Sequence, residues 1–340
     1  MEGTLEAKQR RPWRRWVLLG LMIVGFVVGG IFVPVQPEIT VKAENLLGEG
    51  VTWLHLPVVG ELPLVNTLPT LLVTVLLICL VAYLANRSMT GSQKTDLVPR
   101  GIGNLLEAFF ELIYDLTEGA TGSKWAPMVF PWFATIMFYV LFANLIKLLP
   151  GFESIGIIHH TAEGGHAVAP IGGAWAMLLP GVGQYILEPF LRGPSVDLNF
   201  TFALAIISVV MTQVVGLRAQ GIGYISKFLN FRTMFKIPFF GAMDFLVGLL
   251  ETVSELAKII SFSFRLFGNM FAGIVLVAIV GGLLGKISIL PSMVMMFELF
   301  VGIIQAFIFG ILTMVFMAQA TQGHGHEEQL AEEAADAHEI

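Results

Sequence analysis

Ser261-Phe262-Ser263-Phe264-Arg265-Leu266-Phe267-Gly268-Asn269-Met270-Phe271-Ala272-Gly273 sets a permanent cation inside an apolar run. From Ile259 to Ala318 the only charged residues are Arg265, Lys286 and Glu298. Crossing a bilayer as a helix takes about 20 apolar residues, and this region holds more than that on either side of a break at Pro291. Arginine keeps its proton in a protein. Holding that charge at bilayer depth costs at least ~2.5–3.5 kcal/mol on insertion scales. Such a residue is a functional position by default, and the plainer alternative is a structural ion pair between helices.

The rest of the composition agrees. The chain is 56% hydrophobic and 13% charged, with a mean hydropathy of +0.79, which places it among polytopic membrane proteins. The net charge of −6 resides mostly in loops and tails, and no basic patch suggests nucleic acid. Cys79 is the single cysteine, so an intrachain disulfide or a cysteine-based metal site is excluded. No cofactor and no metal are expected.

Five basic residues, Lys8, Arg10, Arg11, Arg14 and Arg15, precede an uncharged run from Val17 to Gln36. That run lacks a small-x-small cleavage site, which favours an uncleaved anchor over a signal peptide. Residues 1–36 are read as basic tail and anchor, 37–64 as an external connector, 65–320 as the membrane domain and 321–340 as an acidic, disordered tail. Within the membrane domain, spans are expected over 68–85, 127–149 and 198–217. Residues 104–118 set Leu105, Phe109, Leu112 and Leu116 against Glu107, Glu111 and Asp115, the pattern of an interfacial helix. The uncharged stretch 167–187 holds Pro170, Gly172, Gly173, Pro180, Gly181 and Gly183, and is read as a broken or interfacial segment.

From Phe239 to Leu290 there is no proline. One helix of that length measures ~78 Å, so it must tilt, bend or break, with Gly268, Gly281 and Gly282 as bending points. The fold class expected is an all-α polytopic membrane protein. It has five core transmembrane helices, an N-terminal anchor helix, and a long tilted C-terminal hairpin of 239–285 and 291–318.

Asp244, Glu251, Lys258 and Arg265 recur every seven residues, so they share one helix face with a drift of ~20° per step. Glu255 joins that face through Glu251, and Ser254 and Ser261 lie beside it. Glu298 and Gln305 are likewise seven apart on the last helix. If the two helices are antiparallel, Glu298 falls on the outer side of Arg265. The pattern suits two half-paths for protons separated by a cationic barrier. Partly buried carboxylates bind and release protons, while Lys is a poorer barrier than Arg because it can lose its charge. The plainer readings are interfacial ion pairs for Glu251, Glu255 and Lys258, a helix N-terminal position for Asp244, and a helix–helix hydrogen bond for Gln305.

Arg265-Leu266-Phe267-Gly268-Asn269-Met270, then Ala272-Gly273, with Gln305-Ala306-Phe307-Ile308-Phe309 on the next helix, resembles the a subunit of F-type rotary ATP synthases. Weaker likenesses are Asn144 to Pro150, Pro194 to Asn199, and Gly221-Ile222-Gly223, in order over roughly 65–320. The resemblance implies a stator subunit of the Fo sector, an ion-translocating part of the complex that is no enzyme on its own. Arg265 is then the essential arginine facing a ring of c subunits. Glu251 falls on the cytoplasmic exit path, Glu298 and Asn144 on the uptake path, and Asn269 and Gln305 near the arginine. The implied partners are the c-subunit ring, the b-subunit peripheral stalk, the remaining synthase subunits and the lipid bilayer, in a bacterial inner membrane. The chain departs from the family at Ile274, where some members carry glutamate, at Lys147, where some carry aspartate, and in the 151–192 insert with His159, His160 and His166, read as surface-loop residues. The competing class is a self-contained ion channel or secondary transporter. The absence of an internal repeat counts against it.

Basic residues set the orientation. Thirteen of the 19 Lys and Arg fall in 1–16, 86–125 and 218–236, which the positive-inside rule puts in the cytoplasm with both termini. Cysteine-accessibility labelling at position 225 and in the C-terminal tail should report the same side of the membrane. Opposite sides would sink this topology.

Overall fold

The computed structural model describes residues 16, 43–46, 54–56, 60–92, 102–149, 152–172, 175–228, 238–284 and 289–322. The anchor expected over 17–36 and the acidic tail beyond 322 lie outside the described residues. In chain order the helices are α1 (Thr67–Ser92), α2 (Ile102–Thr121), α3 (Ala126–Ile146), α4 (Leu198–Gln220), α5 (Pro238–Leu284) and α6 (Ile289–Thr321). All but α2 are long and apolar enough to cross a membrane, giving five candidate spans among the described residues. The long hairpin falls where it is expected. Its first arm, α5, runs as one assigned helix of 47 residues, about 70 Å at 1.5 Å per residue, without a break at Gly268 or Gly281.

The described residues also hold two small sheets. Strand β1 (Leu54–Leu56) pairs antiparallel with β2 (Gly60–Leu62), His55 opposite Glu61. Strands β3 (Gly156–Gly172) and β4 (Trp175–Pro189) form the other. The stretch 167–187, expected as a broken or interfacial segment, lies largely in these two strands. Only two residues separate β3 from β4, too few for the crossover that parallel pairing needs. Gly172, the last residue of β3, supplies a positive φ of 142°. Each strand of a two-stranded sheet has an unpaired side, so Pro170 and Pro180 are tolerated there while they would break a helix.

The chain divides into two compact units. The larger comprises Thr40–Ile157, Pro189–Ala272 and Leu299–Ile340; the smaller includes Ile158–Glu188 and Gly273–Glu298. The larger unit's core gathers Ile113 from α2, Val129, Phe133, Ala134 and Met137 from α3, Val215 from α4, and Met314 and Met317 from α6. On α2 the residues turned to this core are Phe109, Phe110, Ile113 and Ala120, whereas Leu112 and Leu116 are exposed. Leu112 and Leu116, expected on the apolar face of an interfacial helix, lie away from this core, on the side such a helix turns to lipid. Asp197 caps α4 by accepting from the Asn199 amide at 2.9 Å, and it takes a second bond from the Thr67 hydroxyl at 3.0 Å. Buried threonines bond back to their own helices, Thr74 to the Thr70 carbonyl at 2.8 Å and Thr117 to that of Ile113 at 2.7 Å.

Gly310 on α6 sets the approach to α3. A Cβ there would lie 2.8 Å from Met137 Cβ and 2.9 Å from a Phe133 ring carbon, closer than real contacts allow. Both neighbours are buried, so neither gives way cheaply. Gly310→Val should therefore lower unfolding stability in detergent by about 1–3 kcal/mol, the usual cost of overpacking. Thermal unfolding of the purified protein measures it, and an unchanged midpoint would refute the close packing.

Candidate functional site

Arg265 is half-buried on α5. Its guanidinium carbon stands 6.0 Å from the ring centre of Phe262, one turn back on the same helix. Ion pairs among the described residues include His159–Glu188 and Lys258–Glu255, and neither involves Arg265. A cation–π contact at that distance supplies about 0.5–1 kcal/mol, well short of the cost of holding the charge in an apolar setting.

The residues around Arg265 are tied to neighbouring helices. Ser263, fully buried, shares a 3.0 Å hydrogen bond with Thr201 of α4. Asn269, one turn after the arginine, donates from Nδ2 to Gln305 Oε1 of α6 at 2.7 Å. Gln305 is buried, and its own Nε2 has no hydrogen-bond partner among the described residues. The helix–helix hydrogen bond weighed for Gln305 is thus present, with Asn269 as its donor.

Toward the start of α5 the seven-residue stripe separates into distinct environments. Glu255 is buried and receives the Lys258 ammonium at 2.8 Å, and that ammonium also sits 4.5 Å from the ring centre of Phe316 on α6. Glu251 is half-buried, while Ser254 and Ser261 are exposed. The side chain of Asp244 lies outside what the structure describes.

Asn144, near the end of α3, is 1% exposed and joins two segments. Its Nδ2 donates to the Gly302 carbonyl of α6 at 3.2 Å, and its Oδ1 accepts from the Ser195 hydroxyl at 2.6 Å. Lys147 is nearly buried, its aliphatic stem against Gly193. In the smaller unit, Glu298 is 6% exposed and lies against the α5 backbone at Gly273, where a Cβ would come 2.8 Å from its carboxylate oxygen. A side chain at 273 would displace that carboxylate. His159 pairs with Glu188 at 3.0 Å and His160 with Gln184 at 2.9 Å. Among the described residues no group of three His, Cys, Asp or Glu is placed to hold a metal.

Sequence reasoning missed Ser195, Thr201, Ser263 and Gly273 as partners of the site. Ser195 and Gly273 sit inside strings that carried the resemblance, but their contacts reach over tens of residues and leave no local signal.

The profile of the ATP synthase A chain family matches residues 68–318. An ATP synthase subunit a of Campylobacter jejuni is 33% identical over 253 residues, covering 73% of this chain and 88% of that protein. One from Moorella thermoacetica is 27% identical over 269 residues, 78% of this chain and 94% of that protein. One from Mycobacterium tuberculosis is 30% identical over 273 residues, 80% of this chain and 90% of that protein.

The Asn144–Ser195 bond joins two fully enclosed groups, so each single truncation strands a polar atom at about 1–3 kcal/mol. A double-mutant cycle of Asn144→Ala and Ser195→Ala, read by chemical unfolding in detergent, should give a coupling of about 0.5–3 kcal/mol. Simple additivity would show that the contact contributes nothing.

Proposed function

Because the chain belongs to the ATP synthase A chain family, we propose that it is the stator half of the Fo proton channel, with Arg265 as the charge that couples proton passage to movement of a ring of c subunits. The observation that carries this reading is the unpaired guanidinium. Among the described residues Lys258 has its carboxylate and Arg265 has none. A permanent cation without an internal partner suits a carboxylate that arrives from another chain. On approach it favours the ionised form of that carboxylate, so the proton leaves. When the next carboxylate takes its place, the first is released to be reprotonated.

Two half-paths follow from the carboxylates. Glu298, with Asn144, serves the outer path. Glu251 serves the cytoplasmic path, with Glu255, Lys258, Ser254 and Ser261 along the same face. Asn269 and Gln305 hold the helices on either side of the arginine in register. A fixed positive charge between the paths bars a direct leak of protons. The driving force is the membrane potential, ~2.3 kcal/mol per charge per 100 mV. The c ring, the b-subunit stalk and the remaining synthase subunits are the proposed partners, in a bacterial inner membrane.

In vesicles carrying the assembled complex, Arg265→Ala should abolish ATP-driven proton pumping and open a passive leak. Arg265→Lys keeps a charge but loses the planar fork and the fixed protonation state, so pumping should remain at or near zero. Coupled pumping at the parent rate by Arg265→Ala, with assembly confirmed, would falsify the role assigned to this residue.

The carboxylates are separable by direction. Glu298→Gln should slow uptake from the outer side and change its pH dependence, and Glu251→Gln should act mainly on the cytoplasmic side. Flux is measured both ways across the same vesicles. An unaltered rate and pH profile for Glu298→Gln removes it from the path.

A further inference from the structure

A recess of about 340 Å³ lies between α4, the 3-10 turn Gly221–Lys227 and α5. Val209, Leu217, Ile225, Phe228, Leu256 and Ile259 make most of its wall. Leu217, Ile225 and Leu256 are also exposed, so the recess opens onto an apolar outer surface. Its polar lining is Gln213, Tyr224, Thr252 and Glu255. Thr252 donates to the Gly248 carbonyl at 3.0 Å. Tyr224 donates to Gln213 Oε1 at 2.8 Å, which fixes the way the amide points. Glu255 Oε1 takes the Lys258 ammonium at 2.8 Å. Two atoms are left over. Gln213 Nε2, a donor, and Glu255 Oε2, an acceptor, are buried with no hydrogen-bond partner among the described residues. Glu255 as a whole is 8% exposed.

A plain hydrocarbon chain would cover the wall and leave both atoms unmet, each at the full penalty of its desolvation. Water would meet them, but a single molecule uses both and leaves the apolar wall bare. Apolar space stays dry and takes up apolar molecules instead. A hydroxyl group on an apolar body answers both demands. Its oxygen accepts from Gln213 Nε2, its proton is donated to Glu255 Oε2, and the body lies along the wall. An apolar cavity of ~150 Å³ holds benzene, so a recess of about 340 Å³ has room for roughly ten to fourteen carbons. The polar end of the site is held in shape by Tyr224. Its ring rests where Gly216 of α4 lacks a side chain, since a Cβ at 216 would fall 2.5 Å from two ring carbons. Tyr224 is buried, so ring and hydroxyl stay together, and the hydroxyl holds the Gln213 amide.

We propose that this recess is a binding site for a membrane-dissolved alcohol, an apolar body whose single hydroxyl is held between Gln213 and Glu255. The ligand enters from the bilayer past Leu217, Ile225 and Leu256. It joins α4 to α5 through one donor and one acceptor that nothing else among the described residues meets. The assignment concerns binding alone and stands apart from the channel reading above, because its test measures ligand occupancy and no proton flux.

The test uses the assembled complex in vesicles, with decanol bearing a photoreactive diazirine and the matched diazirine decane that lacks the hydroxyl. Labelled peptides are read by mass spectrometry. The alcohol should label segments 209–228 and 252–259 saturably, and unlabelled decanol should displace it. The alkane at equal concentration should label them roughly 10-fold less, the effect of losing a hydrogen bond to a charged group. Gln213→Leu should cut labelling by the alcohol roughly 3–10-fold, the effect of one neutral hydrogen bond, without lowering that of the alkane. Leu256→Trp, at the exposed rim, fills the recess and should remove labelling by both. Equal labelling of these segments by the two probes means that hydrocarbon alone covers the recess, and overturns the proposal. Absence of label from both segments means a closed or wet recess and overturns it as well. Preference for the alcohol that persists undiminished in a folded Gln213→Leu overturns the hydroxyl seat. The comparison of the two probes on the parent protein needs no variant, so it decides even where Gln213→Leu fails to fold.

Discussion

A charge that cannot be neutralised, on an apolar helix with no counter-charge of its own among the described residues, is the constraint around which the rest of this structure is arranged. Lys258 and Arg265 sit seven residues apart on one face of α5, yet they are handled differently. Lys258 has a carboxylate at 2.8 Å and an aromatic ring beneath it. Arg265 has only an aromatic ring. An ion pair inside the chain would satisfy the guanidinium permanently and leave nothing to exchange. The bonds nearest to it, Ser263 to Thr201 and Asn269 to Gln305, involve neutral groups that hold α5 against α4 and α6 without discharging the cation.

Polar groups elsewhere in the helices are met by short-range or paired solutions. Thr212 bonds to the Ser208 carbonyl at 3.0 Å, and Ser208 in turn meets Thr313 of α6 at 2.8 Å. Hydroxyls that bond back within their own helix add little directional grip between helices. The specific inter-helix register then falls to a few side chains, Asn144 and Gln305 above all, and to glycines that let backbones close in. Gly310 against Phe133 and Gly273 against Glu298 are the two clearest cases.

How much of this was readable from the chain depended on the range of the interaction. The five spans and the heptad spacing of the α5 charges are periodic, so they survive as local pattern. Asn144 with Ser195 and Gln213 with Tyr224 are pairings set by helix docking, and nothing in either segment alone announces the partner. The faces of α2 need a distinction particular to membranes. Leu112 and Leu116 are exposed because an outward face against lipid is also apolar, so the rule that apolar means inward loses its meaning there. The strands over 167–187 were not legible for another reason. Dense glycine and proline exclude an unbroken helix without saying which structure replaces it.

That sheet bears on the direction of the chain through the helices. With two strands only, β3 and β4 each carry a full row of amide and carbonyl groups along the side that has no neighbouring strand. Hydrocarbon offers nothing to bond them, and spanning backbone must be helical or closed into a barrel. Where lipid would meet that open side, such a ribbon is barred from the hydrocarbon, however apolar its side chains. A chain that leaves α3 and enters α4 on the same face must traverse the bilayer in opposite senses along those two helices. The parity of every later crossing is inherited from that single exclusion.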